Sequence, residues 1–228
     1  MNYDDLQQNI VKVLQENQVW GRAVSLDIEA DLNTLGDFSK NILSISTARR
    51  DGERVDVQKF ILNEETAADE ARLFNEFGDF CQKFRPLVLV GYGISGFDLP
   101  VLLVKMRKLD ETFKKDGKYH PGYWAFRDAI TRSYVLDMIN PVRFEVARFD
   151  NSKASFLSLE KAISHKRFEK LQFMKTKNIV SDLISTGMSK WDIIHDLWKN
   201  NKVAFNQYIE GDVHDTLLLA EELFNVKQ

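Results

Sequence analysis

Asp27 and Glu29 stand two residues apart in "RAVSLDIEAD", and Asp31 follows at the same interval. Alternate positions of a β-strand share one face, so a strand here would line up like charges in an element that ordinarily avoids Asp and Glu. Asp98 follows the apolar run "PLVLVGYG" after the short turn "ISGF". Asp212 comes four residues after Tyr208, on the same side of a helix. None of the four acids has an obvious cationic neighbour in sequence. Carboxylates drawn from three separate elements converge only where cations hold them together. All-oxygen ligation suits the hard divalent ions Mg²⁺ and Mn²⁺. Two such ions roughly 3.5–4 Å apart activate a water and stabilise the leaving oxygen of a phosphodiester, and a tyrosine beside them can orient that water.

The elements that must position these residues follow from periodicity. Residues 3–17 carry Leu6, Ile10, Val13 and Leu14 at helical spacing, an N-terminal helix within residues 1–20. "RAVSLDIE" reads as a strand, and "NILSISTARR" and "RVDVQKFIL" read as a hairpin pair around Asp51-Gly52. Residues 64–84 have helical spacing, and "PLVLVGYG" has the uniform apolarity of a strand buried on both faces. "FDLPVLLVKMRKL" is helical, with Pro100 tolerable in the first turn. "SYVLDMI" is a further strand, and helices are expected around 155–165, 189–199 and 201–225. The polar stretch 110–131, with Gly117 and Gly122, is expected to be a loop or inserted lobe. The order gives an α/β fold with a mixed central sheet flanked by helices, and residues 1–228 are expected to form one domain.

Three stretches carry a family resemblance. "SLDIEAD" is similar to the D-x-E motif of the DEDD exonuclease superfamily, at Asp27 and Glu29. "VGYGISGFDLPVL" resembles the G-Y-N-x-x-x-F-D-x-P motif of the proofreading domains of B-family DNA polymerases, with Asp98 as its aspartate and Gly93 in place of the usual asparagine. "YIEGDVHDTLLLAEEL" resembles Y-x-x-x-D, with Tyr208 and Asp212, which assigns the tyrosine-type branch. The resemblance implies a ribonuclease H-like fold and a two-metal 3′→5′ exonuclease using Mg²⁺ or Mn²⁺. It further implies that Asp27 is shared between the metals, that Glu29 and Asp212 complete the first site, that Asp98 acts through the second metal's water shell, and that Tyr208 positions the attacking water. Since the chain ends soon after the third motif, a stand-alone exonuclease is expected.

Substrate contacts are expected from the main chain near Ala30 and Leu32, from Phe97, and from the basic residues Lys105 and Lys108. Residues 105–177 carry 17 Lys/Arg against 9 Asp/Glu in a chain whose formal charge is −3. Arg107, Lys114, Lys115, Lys118, Arg143, Arg148, Lys166 and Arg167 extend the basic set. Phe113, Tyr119, Tyr123, Trp124 and Phe126 interleave with them, a composition suited to stacking single-stranded bases. The expected partner is single-stranded nucleic acid, DNA more than RNA. An RNA-trimming exonuclease and a catalytically silent binding domain on the same fold stand as alternatives. Asp215, seven residues after Tyr208, rivals Asp212 as the third-motif aspartate, although the Y-x-x-x-D spacing favours Asp212. His214 lies on a different helical face, Asp137 at a strand end, and Asp31 reads as a solvated turn residue. The lone Cys81 excludes an internal disulfide framework and a cysteine-based zinc cluster. With no secretory segment or membrane span, a cytoplasmic location is expected.

Overall fold

A computed structural model describes residues 3–16, 19–30, 41–108, 114–115, 118–119, 122–184 and 187–226. The strands are β1 (Ala23–Glu29), β2 (Ser44–Asp51), β3 (Arg54–Ile61), β4 (Val88–Gly91), the short pair β5 (Lys114–Lys115) and β6 (Lys118–Tyr119), and β7 (Tyr134–Asp137). The helices are α1 (Tyr3–Glu16), α2 (Ala67–Phe84), α3 (Asp98–Lys108), α4 (Gly122–Arg132), α5 (Ile139–Phe149), α6 (Leu159–Ile163), α7 (Asn178–Ile184), α8 (Lys190–Asn200) and α9 (Lys202–Phe224).

Five strands form one sheet in the order β3-β2-β1-β4-β7. β1, β2 and β3 are antiparallel neighbours, whereas β4 runs parallel to β1 and β7 parallel to β4. The Asp51-Gly52 turn closes the β2–β3 hairpin, with Gly52 at φ +60°, a conformation for which a residue without Cβ is suited. Side chains of β1 alternate as the pleat requires. Val24, Leu26 and Ile28 enter one apolar cluster with Phe74 and Phe77 of α2. The opposite face carries Ala23, Ser25, Asp27 and Glu29, and α9 packs against β1 and β2. Cross-strand partners on that face are Ala48, Ser46 and Ser44. They are small and uncharged, so they leave room for a helix and add no like charge beside the acids. α9 gives Phe205, Tyr208 and Ile209 to the first cluster, and Val213, Leu217 and Phe224 to the second.

Three expectations are corrected. Residues 122–132 are not loop but helix α4, whose Phe126 is fully buried between Phe74 (5.4 Å) and Phe77 (5.2 Å). Its backbone meets α2 closely: a Cβ on Gly78 would lie 2.7 Å from the Gly122 carbonyl oxygen, so both helices need glycine at the crossing. Tyr123 and Phe126 are therefore core residues rather than base-stacking platforms, although Trp124 is half exposed. The side chains of Phe113 and Tyr119, like those of Lys114, Lys115 and Lys118, lie outside the described residues. Second, α5 and α7 are helices that periodicity did not reveal. Third, residues 155–158 belong to no helix, and α6 starts only at Leu159, capped by the Ser158 side chain. Among the described residues, no helix is long and apolar enough to cross a membrane.

Candidate active site

β1 ends, α3 begins and α9 passes at one end of the sheet. One carboxylate oxygen from each of Asp27, Glu29 and Asp212 lies within 4.8 Å of the other two. Asp98, the first residue of α3, accepts the Ile28 N–H at 2.9 Å through Oδ1. Ile28 sits between Asp27 and Glu29, so this bond ties Asp98 to the same strand end. Asp98, Glu29 and Asp212 are buried, and Asp27 is partly buried. They form the floor of a cleft of about 410 Å³. Residues of the Tyr92–Asp98 loop, of the 156–160 segment, and of α7 and the start of α8 line it.

The loop before Asp98 is held from outside. Asp137 accepts the N–H groups of Gly93 (3.0 Å), Ser95 (3.0 Å) and Ile139 (3.2 Å). Gly93 has φ +91°, which explains glycine at a position where the family motif has asparagine, the other residue that tolerates such φ. Tyr92 donates its hydroxyl to the Leu157 carbonyl at 2.5 Å, binding this loop to the segment that precedes α6.

Burial, followed by the repulsion of Asp212, pushes the Asp27 carboxyl up to about 7. Burial and then Asp27 push Glu29 up to about 8. The same two causes raise Asp98 well above the ordinary carboxylate range. Asp212 is raised by its burial, against the opposing pull of Lys177. Tyr208, fully buried, is raised by burial and then by Glu29. Sequence reasoning missed Lys177. It arrives just ahead of α7, donates to the Tyr208 hydroxyl at 3.1 Å and pairs with Asp212 Oδ2. Burial disfavours its charge, but Asp212, Tyr208, Asp27 and Glu29 together outweigh that and raise it well above the ordinary lysine value. Lys190, exposed at the first position of α8, also lines the cleft, and its charge acts on the same carboxylates.

The donor set is all oxygen, which suits Mg²⁺ or Mn²⁺ rather than a soft ion. Asp212 Oδ1 is buried without a hydrogen-bond partner among the described residues. A buried carboxylate oxygen with no donor is unfavourable unless something else satisfies it. A divalent cation among Asp27, Glu29 and Asp212 does so, and the residues fit one.

The expected substrate contacts divide. Ala30 and Phe97 line the cleft. Leu32 and the side chain of Lys108 lie outside the described residues, as does Asp31. Lys105 is corrected: it is 4% exposed and paired with buried Glu70 at 3.0 Å, with no free surface to offer a phosphate. Arg167 meets Glu145 and Glu222, whereas Arg148, also paired with Glu145, stays largely exposed. Asp215 does not join the carboxylate group; it accepts main-chain N–H groups of residues 174 and 175, with His214 Nδ1 2.8 Å away.

Residues 9–133 match the family described as DNA polymerase family B, exonuclease domain. The match spans Asp27, Glu29 and Asp98, while α9 lies beyond it. Among solved structures, the family B DNA polymerase from the hyperthermophilic archaeon Pyrobaculum calidifontis aligns with a TM-score of 0.57 at 19% identity. The alignment covers 88% of this chain and 24% of the polymerase, so the chain spans about a quarter of that protein's length. That likeness identifies the mixed sheet as ribonuclease H-like. No curated protein matches the sequence.

Proposed function

This chain belongs to the exonuclease-domain family of the family B DNA polymerases, and from that premise we propose that it is a metal-dependent 3′→5′ exonuclease acting on single-stranded ends, DNA in preference to RNA. The observation that carries the reading is the convergence of Asp27, Glu29 and Asp212 at the bottom of an open cleft, with Asp98 tied to the same strand end.

Asp27, Glu29 and Asp212 would hold the first of two Mg²⁺ or Mn²⁺ ions, and Asp27 would also meet the second, with Asp98 acting through that ion's water shell. Bound there, the ions supply a nucleophile at neutral pH and stabilise charge on the leaving 3′-oxygen. The remaining work falls to the chain itself. Tyr208 accepts a hydrogen bond from Lys177, which leaves its phenolic proton and a second lone pair to orient a water. Lys177 keeps a positive charge beside a centre that must receive a phosphodiester. Ala30 and Phe97 supply the apolar wall for the terminal nucleotide, and Phe156, 72% exposed on the rim, is placed to stack a base of the incoming strand.

Paired DNA and RNA oligomers of one sequence, single-stranded and duplex, 5′-labelled and incubated with Mn²⁺, test the reading. A ladder shortening from the 3′ end, fastest on single-stranded DNA, is the expected result. Faster loss of the RNA would overturn the sugar preference, and shortening from the 5′ end would overturn the polarity.

A further inference from the structure

Asp215 is 1% exposed and lies three residues beyond Asp212 on α9, yet it points away from the carboxylate group. Its Oδ1 accepts the Met174 N–H at 2.9 Å and its Oδ2 the Lys175 N–H at 3.1 Å. Lys175 has φ +55°, a left-handed conformation unfavourable for a residue with a side chain. Two successive N–H groups converging on one carboxylate are what offsets that conformation. The next residue, Thr176, is seated on Gly211: a Cβ there would lie 1.7 Å from Thr176 Oγ1. Lys177 then reaches Tyr208 and Asp212.

Tyr208, Gly211, Asp212 and Asp215 thus follow one stripe of α9, and residues 174–177 run along it in the opposite direction. The carboxylate at one end fixes a turn, and the ammonium at the other end enters the cleft. We propose that Asp215 is a positioning residue of the exonuclease reaction: by gripping the main chain at Met174 and Lys175, it sets where Lys177 stands. The inference rests on the exonuclease reading. It also accounts for Y-x-x-G-D-x-x-D as one device, in which the second aspartate serves the lysine rather than the metal.

Asp215→Asn keeps the side chain's shape but turns an NH₂ group toward a main-chain N–H. Its kcat is expected to fall roughly 10- to 100-fold, the loss typical of a misplaced catalytic group, with KM within about twofold of the starting chain and Mn²⁺ affinity not reduced, since a displaced Lys177 no longer competes for Asp212. In a Lys177→Met background the same substitution is expected to add nothing, since the group it positions is gone. A fall in kcat that multiplies with Lys177→Met, or an Asp215→Asn chain with unchanged kcat, overturns the proposal. Loss of Mn²⁺ binding would make Asp215 a metal ligand and overturn it equally. Gly211→Ala, which pushes Thr176 off α9, is expected to show the same kcat pattern and serves if Asp215→Asn does not fold. Amide hydrogen exchange at Met174 and Lys175 separates this claim from the exonuclease reading. If the starting chain shows no nuclease activity, that reading fails. Unchanged protection of these two amides in Asp215→Asn overturns the grip itself, whether or not the chain is active.

Discussion

Stripping divalent ions from this chain and raising the pH is expected to destabilise it, in the direction opposite to ordinary acid denaturation. The Asp27 carboxyl moves from 3.8 to about 7 and the Glu29 carboxyl from 4.5 to about 8 on folding. The folded chain therefore holds protons that the unfolded chain releases from about pH 4 upward. A raised carboxylate contributes stability that is complete below the unfolded value and is lost as pH rises through the folded one. Asp27 alone moves by about 3 pH units, and at about 1.4 kcal/mol per unit this is about 4 kcal/mol lost between pH 4 and pH 8. For a chain of this size that lowers the melting temperature by about 8–16 °C. Asp69 does not disturb the window, because its hydrogen bonds from Arg72, Asn63 and Glu64 hold it well below the carboxylate range. The assay is scanning calorimetry in EDTA from pH 5 to 8.5, repeated with Mn²⁺. Metal at a hundred times its dissociation constant returns about 2.7 kcal/mol. Asp27→Asn is expected to make the pH slope shallower, leaving the part carried by the burial of Glu29, and to abolish the response to Mn²⁺. A melting temperature independent of pH in EDTA, or a slope as steep in Asp27→Asn as in the starting chain, would refute the reasoning.

Three further outcomes follow from single contacts. Lys105→Ala strands the buried Glu70 carboxylate, so denaturant melts should show a loss of about 3–5 kcal/mol with KM for oligonucleotides unchanged; a raised KM at full stability would return Lys105 to the substrate surface. Tyr208→Phe keeps the buried ring and removes the hydroxyl held by Lys177. Its kcat should fall roughly 10²-fold at unchanged Mn²⁺ affinity, and kcat equal to that of the starting chain would dismiss the water-orienting role. Asp137→Ala removes the acceptor for Gly93, Ser95 and Ile139, which should cost about 1–3 kcal/mol and expose those amides to exchange; unaltered protection would contradict the contact.

What sequence made legible was local. A strand's period of two put Asp27 and Glu29 on one face, and a helix's period put Tyr208 beside Asp212. Each relation involves residues within one element. What brings the pairs together is the small face of β2, where Ser44, Ser46 and Ala48 stand opposite β1, and periodicity carries no trace of which helix covers that face. Lys177 was hidden for the same reason. It is one of 17 basic residues between 105 and 177, in a segment with no repeating pattern, and only α9 gives it a role. Lys105 misled because composition counts charge without burial; its partner Glu70 lies 35 positions earlier. In α4, the spacing of Tyr123, Phe126 and Ile130 is a helical stripe that the surrounding polar residues and glycines obscured. The glycine at 122 resembles a loop signal in sequence, yet its close approach to Gly78 shows that it serves a helix crossing.

The most direct test of the central claim is the fate of a 5′-labelled single-stranded DNA incubated with the purified 228-residue chain and Mn²⁺, beside Asp27→Asn and Asp212→Asn. The account predicts a 3′-shortening ladder and mononucleotide release from the starting chain, abolished by EDTA and by either substitution. Shortening that persists in Asp212→Asn would contradict it, as would an intact oligomer in a chain that calorimetry shows to be folded and metal-bound.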